Sequence, residues 1–214
     1  GGEISSNALA DSKEYLCVCG DQCYVAWMEA SETLAENADV PTIMSKMNLV
    51  MSIFSGSSFS APQVIGNQDG KGIISVSLGT DGTNVSAAWV ENSDSAAFQE
   101  SGTNSLYVRS LAGGTPGSIR TLGNDVGYVD SIASDGSADT VYVSRDADGN
   151  ADTTGDAEIF AVRADGSMQR MTSDLVNDTE LMNIGGTIYW NHNGTLMKLE
   201  NGTAKSLGAK IGSQ

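Results

Sequence analysis

The densest run of metal-type ligands in the chain is Asp146-Ala147-Asp148-Gly149-Asn150-Ala151-Asp152, followed by Asp156 and Glu158. Calcium takes about six to eight oxygens from carboxylates, amides and carbonyls, and a glycine lets the loop wrap around the ion. With Gly149 as the turn glycine, Ser144, Asp146, Asp148 and Asp152 fall at the spacing of a looped calcium site. The expected ligands are Asp146, Asp148, Asn150, Asp152 and Asp156. The register is imperfect, because Ser144 stands at the first ligand place and the closing glutamate is displaced. Ordinary turn chemistry selects the same residue types without any ion.

Other chemistry-bearing residues are sparse. Cys17, Cys19 and Cys23 sit in Cys-Val-Cys-Gly-Asp-Gln-Cys, and three is an odd number for a disulfide framework. A zinc reading wants a fourth ligand, and His192, the single histidine, is remote in sequence. The segment Tyr15–Trp27 reads as a hairpin filled by small apolar thiols. A turn at Gly20-Asp21-Gln22 would place Cys19 opposite Cys23, where a bridge could close. A serine–histidine–aspartate device needs a histidine, and His192 falls in the hairpin turn Trp190-Asn191-His192-Asn193-Gly194, where solvent exposure is expected. No Gly-x-Ser-x-Gly elbow occurs. The five arginines, Arg109, Arg120, Arg145, Arg163 and Arg170, are not grouped as an anion clamp would require. No catalytic residue and no organic cofactor is assigned.

These residues must be positioned by a scaffold, and internal repetition reveals it. Four units begin near residues 13, 72, 126 and 178, a spacing of 52 to 59. The third is the clearest: Val126–Ser134, the turn Asp135-Gly136-Ser137, Ala138–Ser144, a loop, Ala157–Arg163, the turn Ala164-Asp165-Gly166-Ser167, and Met168–Ser173. Short strands rich in Val, Ile, Tyr and Trp alternate with Asp-Gly, Asn-Gly and Gly-Gly turns, which supply the positive φ of tight hairpins. Four antiparallel strands per unit, repeated, predict an all-β propeller of four visible blades, alone or within a larger ring. The blades are expected at 13–66, 72–123, 126–173 and 178–208, with a tail or closure segment at 1–12 and a C-terminal tail at 209–214. Only Ser31–Ala38 is expected to form a helical turn. Trp27, Trp89 and Tyr142 fall at matching places on the second strand, with Trp190 close to it, and are expected between blades.

The stretch Ser144-Arg-Asp-Ala-Asp-Gly-Asn150, then Glu158-Ile-Phe-Ala-Val-Arg-Ala-Asp-Gly-Ser167 and Gln169-Arg-Met-Thr172, resembles the repeat of TolB-type propellers, a WD40-like class. The resemblance is specific only around residues 144–173, and the insertion 151–157 departs from it. It implies the propeller fold and little about function, because such scaffolds host both interaction modules and peptidase accessory domains.

In such a blade the A–B and C–D turns leave at one end and the B–C and D–A connections at the other. The long connections are all B–C: Glu29–Met47, Glu91–Asn104 and Arg145–Ala157. They gather acid on one face, from Glu29, Glu32, Glu36 and Asp39 through Glu91, Asp94 and Glu100 to Asp146, Asp148, Asp152 and Asp156, with Glu158 at its edge. With 27 acidic against 11 basic residues the net charge is −16, which repels nucleic-acid phosphates and anionic membranes. No run approaches the roughly 20 apolar residues of a membrane helix. The composition suits the extracellular space or cell envelope of a bacterium, and Gly1-Gly2-Glu3 is expected to follow a leader encoded upstream. The function expected is a non-catalytic binding module of an exported protein, taking a protein or glycan on the acidic B–C face. The alternative is a carbohydrate-active propeller with paired carboxylates. An open ring would favour homo-oligomers.

Overall fold

A computed structural model of the chain describes residues 4, 7–67, 70–148, 156–174 and 176–211. It is all-β, with four antiparallel sheets that follow one another along the sequence. Blade 1 holds β1 (Asp11–Cys19), β2 (Gln22–Ala30), the short helix α1 (Val40–Ser45), β3 (Met47–Ser55), and an outer strand in two pieces, β4 (Ser58–Phe59) and β5 (Gln63–Gly66). Blade 2 holds β6 (Gly72–Thr80), β7 (Val85–Asn92), β8 (Asn104–Ser110) and β9 (Arg120–Gly123). Blade 3 holds β10 (Val129–Ser134), β11 (Thr140–Asp146), β12 (Ala157–Arg163) and β13 (Met168–Arg170). Blade 4 holds β14 (Asp178–Ile184), β15 (Thr187–His192), β16 (Thr195–Glu200) and β17 (Thr203–Lys210).

Each sheet is apolar on both faces, and neighbouring sheets cover those faces. Strand β7 shows the rule: all eight of its residues are buried. Val85, Ala87 and Trp89 face blade 1 with Tyr24, Ala26, Met28, Leu49 and Met51, whereas Ala88 and Val90 face blade 3 with Ile132, Val141 and Val143. Blade 4 closes on blade 3 through Leu181, Ile188 and Trp190, packed with Ala133 and Ile159. The series stops there. Leu16 and Val18 of β1 are exposed at 66% and 65%, and Ile184 of β14 at 59%, so blades 1 and 4 do not cover each other and the four sheets form an open arc.

The inner strands share one irregularity. Register shifts fall at Ser12/Glu14, Ile73/Ser75, Val129/Ser131 and Thr179/Met182, so every inner strand bulges near its start. Bulges sharpen twist and bend a strand locally. Here they recur at the end from which the B–C connections leave. At the opposite end Asn183 Nδ2 donates to the carbonyls of Thr80 (3.0 Å) and Ser134 (2.9 Å), tying blade 4 to blades 2 and 3.

Three expectations are corrected. The helical turn forms at Val40–Ser45 and not within Ser31–Ala38, because Asp39 caps it by accepting from the Thr42 N–H (2.9 Å) and Pro41 fits the first turn. The β1–β2 register pairs Cys19 with Gln22 and Val18 with Cys23, one residue away from the pairing a bridge needs. That slip sends Cys19 and Cys23 to opposite faces, and all three cysteines are free thiols. The aromatic series also shifts. Trp89 and Trp190 lie between blades, but Trp27 faces away from blade 2 and is packed by Val25, Val50 and Ile4. In blade 3, Val143 points toward the preceding blade, as Trp89 does in blade 2, while Tyr142 faces blade 4.

A methyl group added at Gly79 would overlap the Ser134 carbonyl of the next blade. Gly79→Ala is therefore expected to cost about 1–3 kcal/mol, whereas Gly117→Ala, whose added carbon meets nothing nearer than 3.5 Å, stays within about 0.5 kcal/mol of wild type. Urea unfolding of the two variants measures the difference.

Candidate functional site

Strand order alone places the three long connections at one end of the arc. The blade 2 connection is held by its own amide side chains. Asn92 Oδ1 accepts from the N–H groups of Asp94 (3.0 Å) and Ala96 (2.9 Å), and Asn92 Nδ2 donates to Asn104 Oδ1 (2.9 Å). Gln99 takes a left-handed φ of 59° and pairs with the Val129 backbone through both amide atoms, at 2.8 Å each. The loop is thus fastened to blade 3, and it presents Phe98 to solvent at 80% exposure.

In blade 3, the carboxylates of Asp146, Asp148 and Asp156 converge, each offering an oxygen within 4.8 Å of the others. The backbone brings them together: the Asp146 N–H donates to Tyr128 O (3.2 Å), the Ala147 N–H to Asp156 O (3.2 Å), and the Asp148 N–H to Asp146 Oδ1 (3.1 Å). Three carboxylates this close repel one another, and a cation of oxygen-ligand type relieves that repulsion. The cluster can hold a metal ion. Of the five expected ligands it unites Asp146, Asp148 and Asp156, while Asn150 and Asp152 lie outside the described residues. Ser144 does not join it. Its hydroxyl is buried on the blade 4 side and donates to the Asp178 carbonyl. Beside the cluster the Arg145 guanidinium lies over the Phe160 ring, 5.2 Å from its centroid, and donates to Asp146 O (3.1 Å).

Besides Asp146, which is buried, two acids assigned to the surface are interior. Glu91 and Glu158 are fully buried. Glu91 Oε1 accepts from the Trp89 indole N–H (2.7 Å), and Glu158 pairs with Arg170 at 3.0 Å. A tryptophan two residues before the acid explains the first pair, because alternate strand residues share a face. The second joins β12 to β13, a clamp within blade 3. Asp178 is a third such acid, absent from the sequence reading. Its Oδ1 accepts the Trp190 indole N–H and lies against His192 Nδ1, both at 2.8 Å. His192 is thus not a free turn residue but a half-buried partner of Asp178, with a side-chain exposure of 26%. Nothing in local spacing signals this pair, since Asp178 comes from the preceding strand.

At the axis, a cavity of about 300 Å³ opens among the four inner strands, touching Leu16, Leu78, Ile132 and Met182. Among the described residues Glu14 is the one acid lining it.

No protein-family model and no curated protein matches the chain. Among solved structures, the α-L-arabinanase of Penicillium chrysogenum bound to arabinobiose is 11% identical, with 98% of this chain and 56% of that one aligned at a TM-score of 0.46. A prolyl endopeptidase is 14% identical over 90% of this chain and 26% of its own, at a TM-score of 0.45. A chain of a nidogen–laminin complex is 14% identical over 88% and 75%, at 0.39. The chain thus spans about a quarter of the peptidase and about half of the arabinanase. Assignment of the propeller fold rests on the four sheets and their packing.

Asp178→Ala removes the acceptor of a buried indole N–H, and an orphaned buried donor costs about 1–3 kcal/mol. His192→Ala, at a partly exposed side chain, is expected to cost less than Asp178→Ala. In a double-mutant cycle, Trp190→Phe should recover part of the Asp178→Ala loss; strictly additive losses in urea unfolding would show the pair to be uncoupled.

Proposed function

We propose that the chain is a non-catalytic recognition module of an exported bacterial protein, with its ligand, protein or glycan, on the B–C face. The observation that carries this reading is the convergence of three long connections at one end of a rigid arc, where variable loops do binding work. The network around Asn92 and Gln99 supports it, because a pre-ordered loop loses little entropy on binding. The buried acids Glu91, Glu158 and Asp178 are engaged by indole, guanidinium and imidazole groups, which supports a structural role for them. The TolB-type kinship of residues 144–173, secretion to the cell envelope or beyond, and self-association through the open side of the arc belong to the same proposal.

Within it, Asp146, Asp148 and Asp156 bind calcium. Bound calcium would fix the blade 3 connection against Tyr128 and so shape the recognition face. Isothermal titration should show one calcium site, with an affinity of about 0.1–1 mM as in extracellular modules. Asp146→Asn combined with Asp156→Asn should abolish it without changing the unfolding midpoint in chelator. No heat at millimolar calcium would remove the metal from the reading.

A further inference from the structure

Between blades 1 and 2, at the same B–C end, lies a second cavity of about 190 Å³. It exists because two long connections meet there. A Cβ at Gly72 would sit 2.8 Å from Ser95 Cα and 3.1 Å from Met44 Cβ, so only a glycine lets α1 and the blade 2 connection close over the start of β6. The walls are apolar and adaptable: Met28, Met44 and Met47 on the blade 1 side, Ile73 on the blade 2 side, and Ala97 at the rim next to the exposed Phe98. Methionine's unbranched, polarizable side chain conforms to varied apolar shapes.

Three polar residues of the inner strand, Ser12, Lys13 and Tyr15, enter this lining, and Tyr15 is the least exposed of them. Tyr15 is partly buried, its hydroxyl makes no hydrogen bond among the described residues, and burial raises its pKa. A buried-facing phenol gains most from a hydrogen-bond partner supplied by a ligand.

The size of the cavity selects the occupant. Sites that enclose a whole small molecule run to about 300–1,000 Å³, and this one is smaller. It fits a single large apolar side chain, in the manner of the anchor pockets at the centre of protein interfaces. Its walls are mostly methionine and isoleucine, with Ser12 and Tyr15 the two hydroxyl-bearing residues, too few polar partners for the many hydroxyls of a sugar, which argues against a glycan. Charge then selects the flanks. The segments that form the rim (11–15, 28–47, 71–74 and 91–100) carry Asp11, Glu29, Glu32, Glu36, Asp39, Asp94 and Glu100, leaving out the buried Glu91 and the axial Glu14, against three lysines, Lys13, Lys46 and Lys71. Lys46 is already paired with Glu32 at 3.1 Å, and the Lys13 stem lines the cavity.

We infer that this cavity is the anchor pocket for a polypeptide partner that inserts one leucine- or phenylalanine-like side chain, flanked by basic residues, with its backbone carbonyl accepting from the Tyr15 hydroxyl. The inference rests on the B–C end being the recognition face, and it narrows the ligand class there to protein.

The test uses the full chain labelled with ¹³C at the methionine methyls. N-acetyl-leucinamide, N-acetyl-phenylalaninamide, N-acetyl-serinamide, and the capped tripeptides Arg-Leu-Arg and Glu-Leu-Glu are titrated in turn. The Met28, Met44 and Met47 methyls should shift saturably with the leucine and phenylalanine probes and not with serine. Arg-Leu-Arg should bind about tenfold more tightly than Glu-Leu-Glu at low salt, with the gap closing at high salt. Ala97→Phe, on a partly exposed loop, should fill the space and abolish the shifts, and Met44→Asp should do the same by a different route. The inference is overturned if these methyls stay still, if serine moves them as leucine does, if Ala97→Phe binds like wild type, or if a soluble oligosaccharide moves them and leucine does not. The calcium site is a separate matter. Asp146→Asn should leave the peptide response intact, and failure of the peptide probes would leave calcium binding and the wider recognition reading standing.

Discussion

The structure depends on neighbouring sheets burying each other's apolar faces. A single four-stranded sheet of this composition has two greasy sides and no interior of its own. Strand β7 is buried throughout because blades 1 and 3 cover it from both directions. Outer strand β17, at the edge of its sheet, is exposed along its whole length. The same logic explains the open side. Leu16, Val18 and Ile184 occupy faces that are covered at the internal interfaces and uncovered at the two ends of the arc.

Polar groups are fitted into this packing by a recurring solution. Where an acid falls on an inward face, a donor from the same blade meets it: Trp89 for Glu91, Arg170 for Glu158, Trp190 and His192 for Asp178. A buried carboxylate without such donors would be prohibitively costly. These acids therefore serve the interior, and the acidity of the recognition face comes from the loops alone. The division matters for function, because it separates three eye-catching acids from the chemistry of the surface.

Much of the fold was legible because turn chemistry is local. Gly82, Gly136, Gly166 and Gly202 all take the positive φ that their dipeptides imply, and the turns between them delimit strands of the right length. Asp146, Asp148 and Asp156 were legible as a cluster for the same reason, since one loop brings them together. What sequence could not show was register and distance. A one-residue difference decides whether Cys19 faces Cys23 and whether Tyr142 or Val143 takes the side that Trp89 takes in blade 2, and the bulges in the inner strands leave no composition signal. The Asp178–His192 pair joins two strands of blade 4. The methionine-lined pocket joins α1, β6 and a loop about fifty residues apart in the chain, and only the packing of blade 1 on blade 2 creates it.

Native-state hydrogen exchange on Val143→Ala examines this dependence most directly. Val143 belongs to blade 3 but fills the interface with blade 2. The account predicts that amides of β7 in blade 2 lose protection free energy equal to that lost by β11 in blade 3, because the two sheets open together. Loss confined to β11, with β7 unchanged, would mean that the sheets are stable separately and would contradict the account.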